Sequence, residues 1–144
     1  MSPASLATAR LSALTRPVVI PWTAGPVSGA GRPAVVSVTD FTLHHRRDQP
    51  AVIRTGLRLR MGWYAMPGAI GLWLWMLPLT TRSGSISVWT DLAPMRGFVG
   101  LPLHLDVMRE NRERGVLRST TWAVDEFDPA EQRERACRWI LSGE

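Results

Sequence analysis

Few side chains in this sequence have the chemistry of a catalyst, and the most suitable one is His104. The spacing of apolar residues predicts that it lies on a helix, where it shares a face with Gly97, Gly100 and Met108. A histidine beside a groove of small residues suits a planar ligand, because a neutral imidazole can act as a general base near neutral pH or ligate haem iron. The alternative is a histidine that faces solvent or bonds across a subunit interface, since no carboxylate partner is visible. His104 is therefore the candidate catalytic and cofactor-binding residue.

Other catalytic arrangements find little support. His44 and His45 end a predicted strand, and adjacent strand residues point to opposite faces, so one of them at most is directed inward. The single cysteine, Cys137, excludes an internal disulfide and a cysteine-based metal cluster, and it fits a reducing cytoplasm. The segment 29–33 is glycine-rich but lacks the helix and lysine of a phosphate-binding loop. We expect no metal ion, and either no cofactor or haem.

Tryptophans form a second group of candidates. Four of the seven fall on predicted strands, at Trp73, Trp75, Trp89 and Trp122. We interpret Trp89 and Trp122 as walls of a pocket, together with Trp73 or Trp75, the strand register deciding between the last two. Packing in the core is the commoner fate of a strand tryptophan.

The elements that position these residues follow from hydrophobic periodicity. The pattern predicts strands at 34–45, 72–79, 85–90 and 117–127. Helices are predicted to begin after Asp48, Asp91 and Asp128, which can act as N-caps. The first helix carries an apolar stripe, which consists of Ile53, Leu57, Met61 and Tyr64.

The second half of the chain repeats this order with one interruption. Arg82–Gly84 is predicted to connect the second and third strands as a hairpin. The second helix is broken near Gly100 and Pro102, because proline removes a backbone donor, and its second segment runs to about Arg114.

Residues 61–81 contain no charged side chain and lie between Arg60 and Arg82. The length of this run would allow a membrane span. However, Pro67, Gly68 and Gly71 form a turn signal in its middle. We therefore interpret the run as the end of the first helix, a turn and the second strand, and expect no membrane span.

Strand-helix-strand occurs twice and a helix is added, which predicts an α+β ferredoxin-like fold, β-α-β-β-α-β with a C-terminal helix. Two helices would cover one sheet face and leave the other bare, and a bare apolar face predicts an interface or a ligand pocket. We assign residues 34–144 to this domain. Residues 1–33 contain no Asp or Glu and are rich in Ala, Ser, Pro and Gly, which indicates a flexible N-terminal arm, with a transit peptide as the alternative.

The charge pattern does not favour a nucleic-acid partner. All 17 basic residues are arginines, and the net charge is +5. The arginines are scattered among acidic residues, as on an ordinary solvated surface. The segment Arg96–Val99 is close to an RNA-recognition motif, but it falls on a predicted helix instead of a strand. We expect no nucleic acid.

The segment 85–115 contains a strand that ends Ser-x-Trp, at Ser87 and Trp89, and a helix with Met95 and Phe98. His104 and Met108 follow. This order resembles monooxygenase-like proteins of the dimeric α/β barrel superfamily, including the spheroidene monooxygenase-like and antibiotic-biosynthesis monooxygenase-type proteins. It departs from their pattern between Gly100 and Pro102.

The resemblance implies a homodimer that binds or oxidises an apolar small molecule, polycyclic or polyene, in a pocket between sheet and helices. His104 would act on the ligand or hold haem. The substrate-binding residues would be Trp89, Phe98, Met108, Trp122 and Trp73. A non-catalytic dimeric barrel, used for ligand binding or association, is the alternative function.

Overall fold

Four long strands form an antiparallel sheet in the order β4-β5-β3-β6. They belong to a computed structural model that describes residues 2–4 and 16–143. In chain order its elements are β1 (Val18–Val19), β2 (Thr23–Ala24), β3 (Ala34–Leu43), α1 (Gln49–Met61), β4 (Ala69–Met76), β5 (Arg82–Trp89), α2 (Leu92–Val99), α3 (Pro102–Asn111), β6 (Gly115–Val124) and α4 (Pro129–Ser142). This arrangement confirms the predicted ferredoxin-like α+β fold.

One face of the sheet, which we call the α4 face, is packed with apolar side chains. Alternate residues of β3, β4 and β5 point to it because strand side chains alternate in direction. The helix α4 lies on this face through Ala136, Trp139 and Ile140. The strands contribute buried residues that include Val36, Val38, Trp73, Trp75, Ile86 and Val88. The prediction of a bare sheet face is therefore wrong, because the periodicity of α4 shows an apolar stripe but not where that stripe docks.

A buried carboxylate joins the end of α4 to the sheet. Asp40 is only 3% exposed and accepts hydrogen bonds from Arg82 and Arg118, each at 2.7 Å. Both guanidinium groups also donate to the carbonyl of Ile140, at 2.6 and 3.3 Å. The guanidinium of Arg118 stacks 4.1 Å above the ring of Trp139. The two arginines therefore neutralise the buried carboxylate and also hold the end of α4 against the sheet.

The opposite face, which we call the pocket face, lies under α1, α2 and α3. None of these three helices has a fully buried residue. In the predicted stripe of α1, Met61 is 77% exposed, and Tyr64, just beyond the helix, is 71% exposed. The inner side of α1 instead carries Gly56, where an added Cβ would lie 3.5 Å from Leu74. Ile53 and Leu57 of the predicted stripe do line the space between α1 and the sheet, whereas Met61 and Tyr64 do not.

The uncharged run 61–81 divides into a helix end, a turn and a strand as predicted, but the strand lies three residues earlier than the predicted 72–79 and includes Gly71. α1 ends at Met61, a short 3-10 turn covers Trp63–Ala65, and β4 begins at Ala69. Gly68 adopts a positive φ of 73°, which glycine tolerates without strain. No helix in the described residues is long and apolar enough to cross a membrane.

The connection between β4 and β5 differs from the prediction. Residues 77–81 form the turn, and Arg82–Gly84 belong to β5. The hydroxyl of Thr80 donates to the Leu77 carbonyl at 2.7 Å and accepts from the Arg82 backbone at 3.0 Å. This side-chain bonding closes the hairpin before the serine and glycine that suggested the turn.

The helix starts agree with the capping prediction at two of three positions. Asp91 accepts from the Ala93 backbone at 2.9 Å, and Asp128 accepts from the Ala130 backbone at 3.0 Å. Asp48 makes no capping bond, because the chain enters α1 from a 3-10 turn and Asp48 already has near-helical angles. The predicted break after α2 is present, and Pro102 opens α3.

The described part of the predicted N-terminal arm lies along β4. β1 and β2 pair with the outer edge of this strand. Trp22 packs against Trp73, with ring centroids 4.3 Å apart, and a Cβ added at Gly71 would overlap the Trp22 ring. The backbone groups at the outer edge of β4 thus form hydrogen bonds with the segment that contains β1 and β2. Residues 5–15 of the arm lie outside the described residues.

Candidate functional site

A cavity of about 680 Å³ separates the pocket face from the helices above it. We call it the pocket. Its apolar wall comes from α1, from the helices α2 and α3, and from the β4 side of the sheet; it includes Val52, Leu59, Leu72, Leu74, Met95 and Val107. Arg112 is the one charged side chain among the described residues that line it. The volume lies within the range of small-molecule sites, about 300–1,000 Å³.

The floor of the pocket is polar, which sequence reasoning did not anticipate. Strand pairing aligns Ser87, Ser37 and Thr121 in one row across β5, β3 and β6, and it aligns Ser85, Thr39 and Ser119 in the next row. We call these six residues the hydroxyl floor. The available signal was the alternation of Ser and Thr within three strands, which only the register places side by side.

His104 reaches the pocket from the first turn of α3. Its imidazole lies edge-on to Phe98, with ring centroids 4.9 Å apart. Nδ1 is buried and has no hydrogen-bond partner among the described residues. Burial lowers the pKa of His104, and the backbone of Val99 partly opposes this shift. The imidazole is therefore neutral near pH 7, with an unused position at Nδ1.

A second unpartnered polar group, the Trp63 indole N–H, belongs to another ring that contacts Phe98. Trp63 is 1% exposed, and its indole N–H has no partner among the described residues. Its ring contacts Trp89 and Phe98, with centroids 5.1 and 5.4 Å away. The sequence prediction overlooked Trp63 because it follows the helical stripe, in a 3-10 turn that periodicity does not reveal.

Four of the predicted residues line the pocket: His104, Phe98, Met108 and Trp75, the last of which also belongs to the buried cluster of the α4 face. Trp89 is fully buried and lies behind the wall, where it contacts Phe98 and donates to the hydroxyl of Ser87 at 2.9 Å. It supports the lining without forming it.

Trp73 and Trp122 are directed to the α4 face. Trp122 donates to the Gln132 side chain at 2.8 Å, and Trp73 packs on Trp22. Strand alternation explains this placement, since Trp73 and Trp122 occupy positions that pair with Ile86 and Val36 of the α4 face. His44 and His45 are exposed and outside the pocket.

The described residues contain no group of three or more His, Cys, Asp or Glu side chains arranged to hold a metal ion. The polar groups that line the pocket include the His104 imidazole, the Trp63 indole, the Arg112 guanidinium, the Asn111 amide and the hydroxyl floor.

The fold is shared with several solved structures. SnoaB, a cofactor-independent oxygenase from Streptomyces nogalater, is 20% identical, with a TM-score of 0.56 over 67% of this chain and 97% of that one. LmHde, a heme-degrading enzyme from Listeria monocytogenes, is 16% identical, with a TM-score of 0.56 over 72% of this chain and 68% of that one. A Listeria monocytogenes ferredoxin-fold protein related to antibiotic biosynthesis monooxygenases is 18% identical, with a TM-score of 0.56 over 77% and 65%.

These matches confirm, at the level of the fold, the resemblance to monooxygenase-like proteins that residues 85–115 suggested. Identities this low show the fold alone. The chain spans only 53% of another match, from Lactobacillus acidophilus. The sequence matches no family model and no curated protein.

Proposed function

We propose that this protein is a monooxygenase-like enzyme that binds an apolar small molecule in the pocket and oxidises it. One observation carries the proposal: an open cavity of about 680 Å³ into which a neutral, half-buried histidine is directed. A pocket filled by its own tryptophans is not favoured, because Trp73 and Trp122 point to the α4 face.

The chemistry begins with proton transfer. His104 can accept a proton from an electron-rich substrate, because burial lowers its pKa and so favours the unprotonated imidazole, and because Nδ1 has no hydrogen-bond partner among the described residues. The resulting substrate anion can give electrons to molecular oxygen. In the net reaction a methylene group and one oxygen molecule become a carbonyl group and one water molecule, so one oxygen atom enters the product and the other leaves as water with both methylene hydrogens.

Contact with Nδ1 requires some movement, since solvent does not reach this atom. The helices α2 and α3 are joined only by Gly100 and Leu101, and they bury no residue fully. A small shift of this helix pair would bring the imidazole to a ligand without disturbing the core of the α4 face.

Haem is the cofactor that the residues can accommodate. His104 offers one neutral nitrogen to the iron, and Arg112 at the pocket lining offers a cation to a haem carboxylate. Bound haem would supply oxygen activation at its iron. The similar folds include a cofactor-independent oxygenase and a heme-degrading enzyme, so both versions of the proposal have a structural precedent.

Association into a homodimer belongs to the same proposal. The two copies cannot pair through a bare sheet face, because α4 covers the face that was predicted to be bare. The exposed apolar residues of the α1 region, which include Met61 and Tyr64, are a surface for a second copy. Light scattering at micromolar concentration tests this point, and a monomer would contradict it.

The experiment that tests the function measures oxygen uptake with electron-rich aromatic compounds. We expect His104→Gln to reduce the rate at least a hundredfold, since general-base catalysis contributes about 10²- to 10⁴-fold. His44→Gln is the matched control, because His44 is exposed and remote from the pocket. Saturable binding without oxygen uptake would instead support non-catalytic ligand binding.

A further inference from the structure

The hydroxyl floor has an unusual composition for a surface that faces an apolar helical layer. Six Ser and Thr side chains occupy two adjacent rows on three strands. On the β4 side of the same rows the partners of Ser87 and Ser85 are Leu72 and Leu74. In these two rows the pocket face is therefore apolar on β4 and carries hydroxyl groups on β5, β3 and β6.

Part of the floor is occupied by its own hydrogen bonds. Thr39 and Ser85 share a bond of 2.8 Å, and Ser87 accepts from Trp89. The remaining hydroxyls have spare capacity: Ser37 and Thr121 are 3.5 Å apart, which is a weak contact, and Ser119 makes no side-chain bond among the described residues. Ser119 and Thr121 are exposed toward the pocket.

The charge of the floor restricts what it can bind. No Asp, Glu, Lys or Arg belongs to it, and Arg112 is the one charged side chain among the described lining residues. An ionised ligand group placed on the floor would lose hydration without a counter-charge. Hydroxyls both donate and accept, so they suit neutral oxygen substituents such as hydroxyl and carbonyl groups.

We propose that the ligand is amphipathic, with a hydrocarbon skeleton against Leu72 and Leu74 and neutral oxygen substituents on Ser37, Ser119 and Thr121. This inference rests on the proposed pocket and narrows its ligand class. A pure hydrocarbon, such as an unsubstituted polyene, would leave these hydroxyls desolvated and unpaired, which makes it a poorer ligand.

Calorimetric titration of two matched probes, naphthalene and 1,5-dihydroxynaphthalene, tests the inference. We expect the dihydroxy compound to bind the unmodified protein at least fivefold more tightly. In Thr121→Val and Ser119→Ala its affinity should fall by about three- to tenfold, the effect of one hydrogen bond, while naphthalene affinity stays unchanged.

Thr120→Val is the control, because it removes the hydroxyl of the neighbouring threonine, whose pairing with Val38 places it on the α4 face. Equal affinity for both probes, or an equal loss in Thr120→Val, would overturn the inference and leave the pocket proposal intact. Failure of both probes to bind would overturn the pocket proposal and, with it, the inference. Thermal unfolding of each variant checks that it is folded.

Discussion

At the scale of single residues, two buried polar groups beside the pocket lack hydrogen-bond partners among the described residues. His104 Nδ1 and the Trp63 N–H are both buried without partners among the described residues, and both rings contact Phe98. An unpaired buried polar group costs about 1–3 kcal/mol. Neither group therefore adds to stability as it stands, and the proposed function would give the His104 nitrogen a partner after a shift of α2 and α3.

Protonation of His104 gives the first prediction. Burial lowers its pKa below the usual 6.5, so between these two values the unfolded chain binds a proton that the folded chain does not. The free energy of unfolding should therefore fall as the pH is lowered through 6.5, and this contribution should level off below the folded-state pKa. Urea unfolding from about pH 8 to pH 5 measures it.

The matched comparison is His104→Gln with His44→Gln. The first variant should lose this part of the pH dependence, and the second should retain it, because His44 is exposed. Identical profiles for His104→Gln and the unmodified protein would show that the imidazole is not protected from protonation in the folded state.

The second prediction concerns haem. If haem binds, the purified protein mixed with it should show a Soret band that His104→Ala shifts or abolishes, while His45→Ala, at an exposed position outside the pocket, leaves the band in place. A spectrum equal to that of free haem would leave the cofactor-free version of the proposed function.

At the scale of secondary structure, local signals predicted the order of the elements but misplaced details such as the turn between β4 and β5. The order of strands and helices was predictable because turn residues such as Gly68 and Pro102 and the apolar periods act within a few residues. The docking of α4 and the hydroxyl floor depend on strand pairing between distant segments, which one sequence does not reveal. The same limit applies to the candidate site: His104 was found as a residue type, whereas Trp63 needed its neighbours in space.

Helix capping supplies the third prediction. Asp128→Ala should lower the free energy of unfolding by about 1 kcal/mol, because it removes the side-chain acceptor at the start of α4. Asp48→Ala should change it much less, since Asp48 makes no capping bond. Chemical denaturation of both variants measures the difference, and equal losses would contradict the capping geometry.

The fourth prediction tests the segment along β4. Gly71→Ala should displace Trp22, because the added Cβ would overlap its ring, and residues 16–27 should become sensitive to limited proteolysis. Gly97→Ala is the control: nothing lies within 4 Å of its added Cβ, and alanine is the better helix former in α2. Unchanged proteolysis in Gly71→Ala would mean that Trp22 does not hold this segment.

At the scale of the whole molecule, the two sides of the sheet are unequally packed. The buried cluster of the α4 face is the larger one, and α4 contributes to it, whereas a smaller buried cluster on the pocket side includes Trp63, Leu72 and Trp89 but no residue of α1, α2 or α3. We therefore expect that an occupant of the pocket would add contacts to the pocket side and raise the free energy of unfolding.

Ligand binding gives the fifth prediction. An occupant at about 100 times its dissociation constant should raise the free energy of unfolding by about 2.7 kcal/mol, because it binds the folded state alone. Denaturation with and without 1,5-dihydroxynaphthalene measures the increase. Calorimetric binding without any gain in stability would show that the compound binds the unfolded chain equally well.

The segment along β4 also limits how copies of this chain can join. β1 and β2 occupy the outer edge of β4 with two residues each, and short strands offer little to a further strand. On the other side of the sheet, no described strand pairs with the outer edge of β6, which runs for ten residues. A sheet with one closed and one open edge can be extended only once. Edge-to-edge joining would therefore stop at a symmetric pair and could not propagate into a fibre.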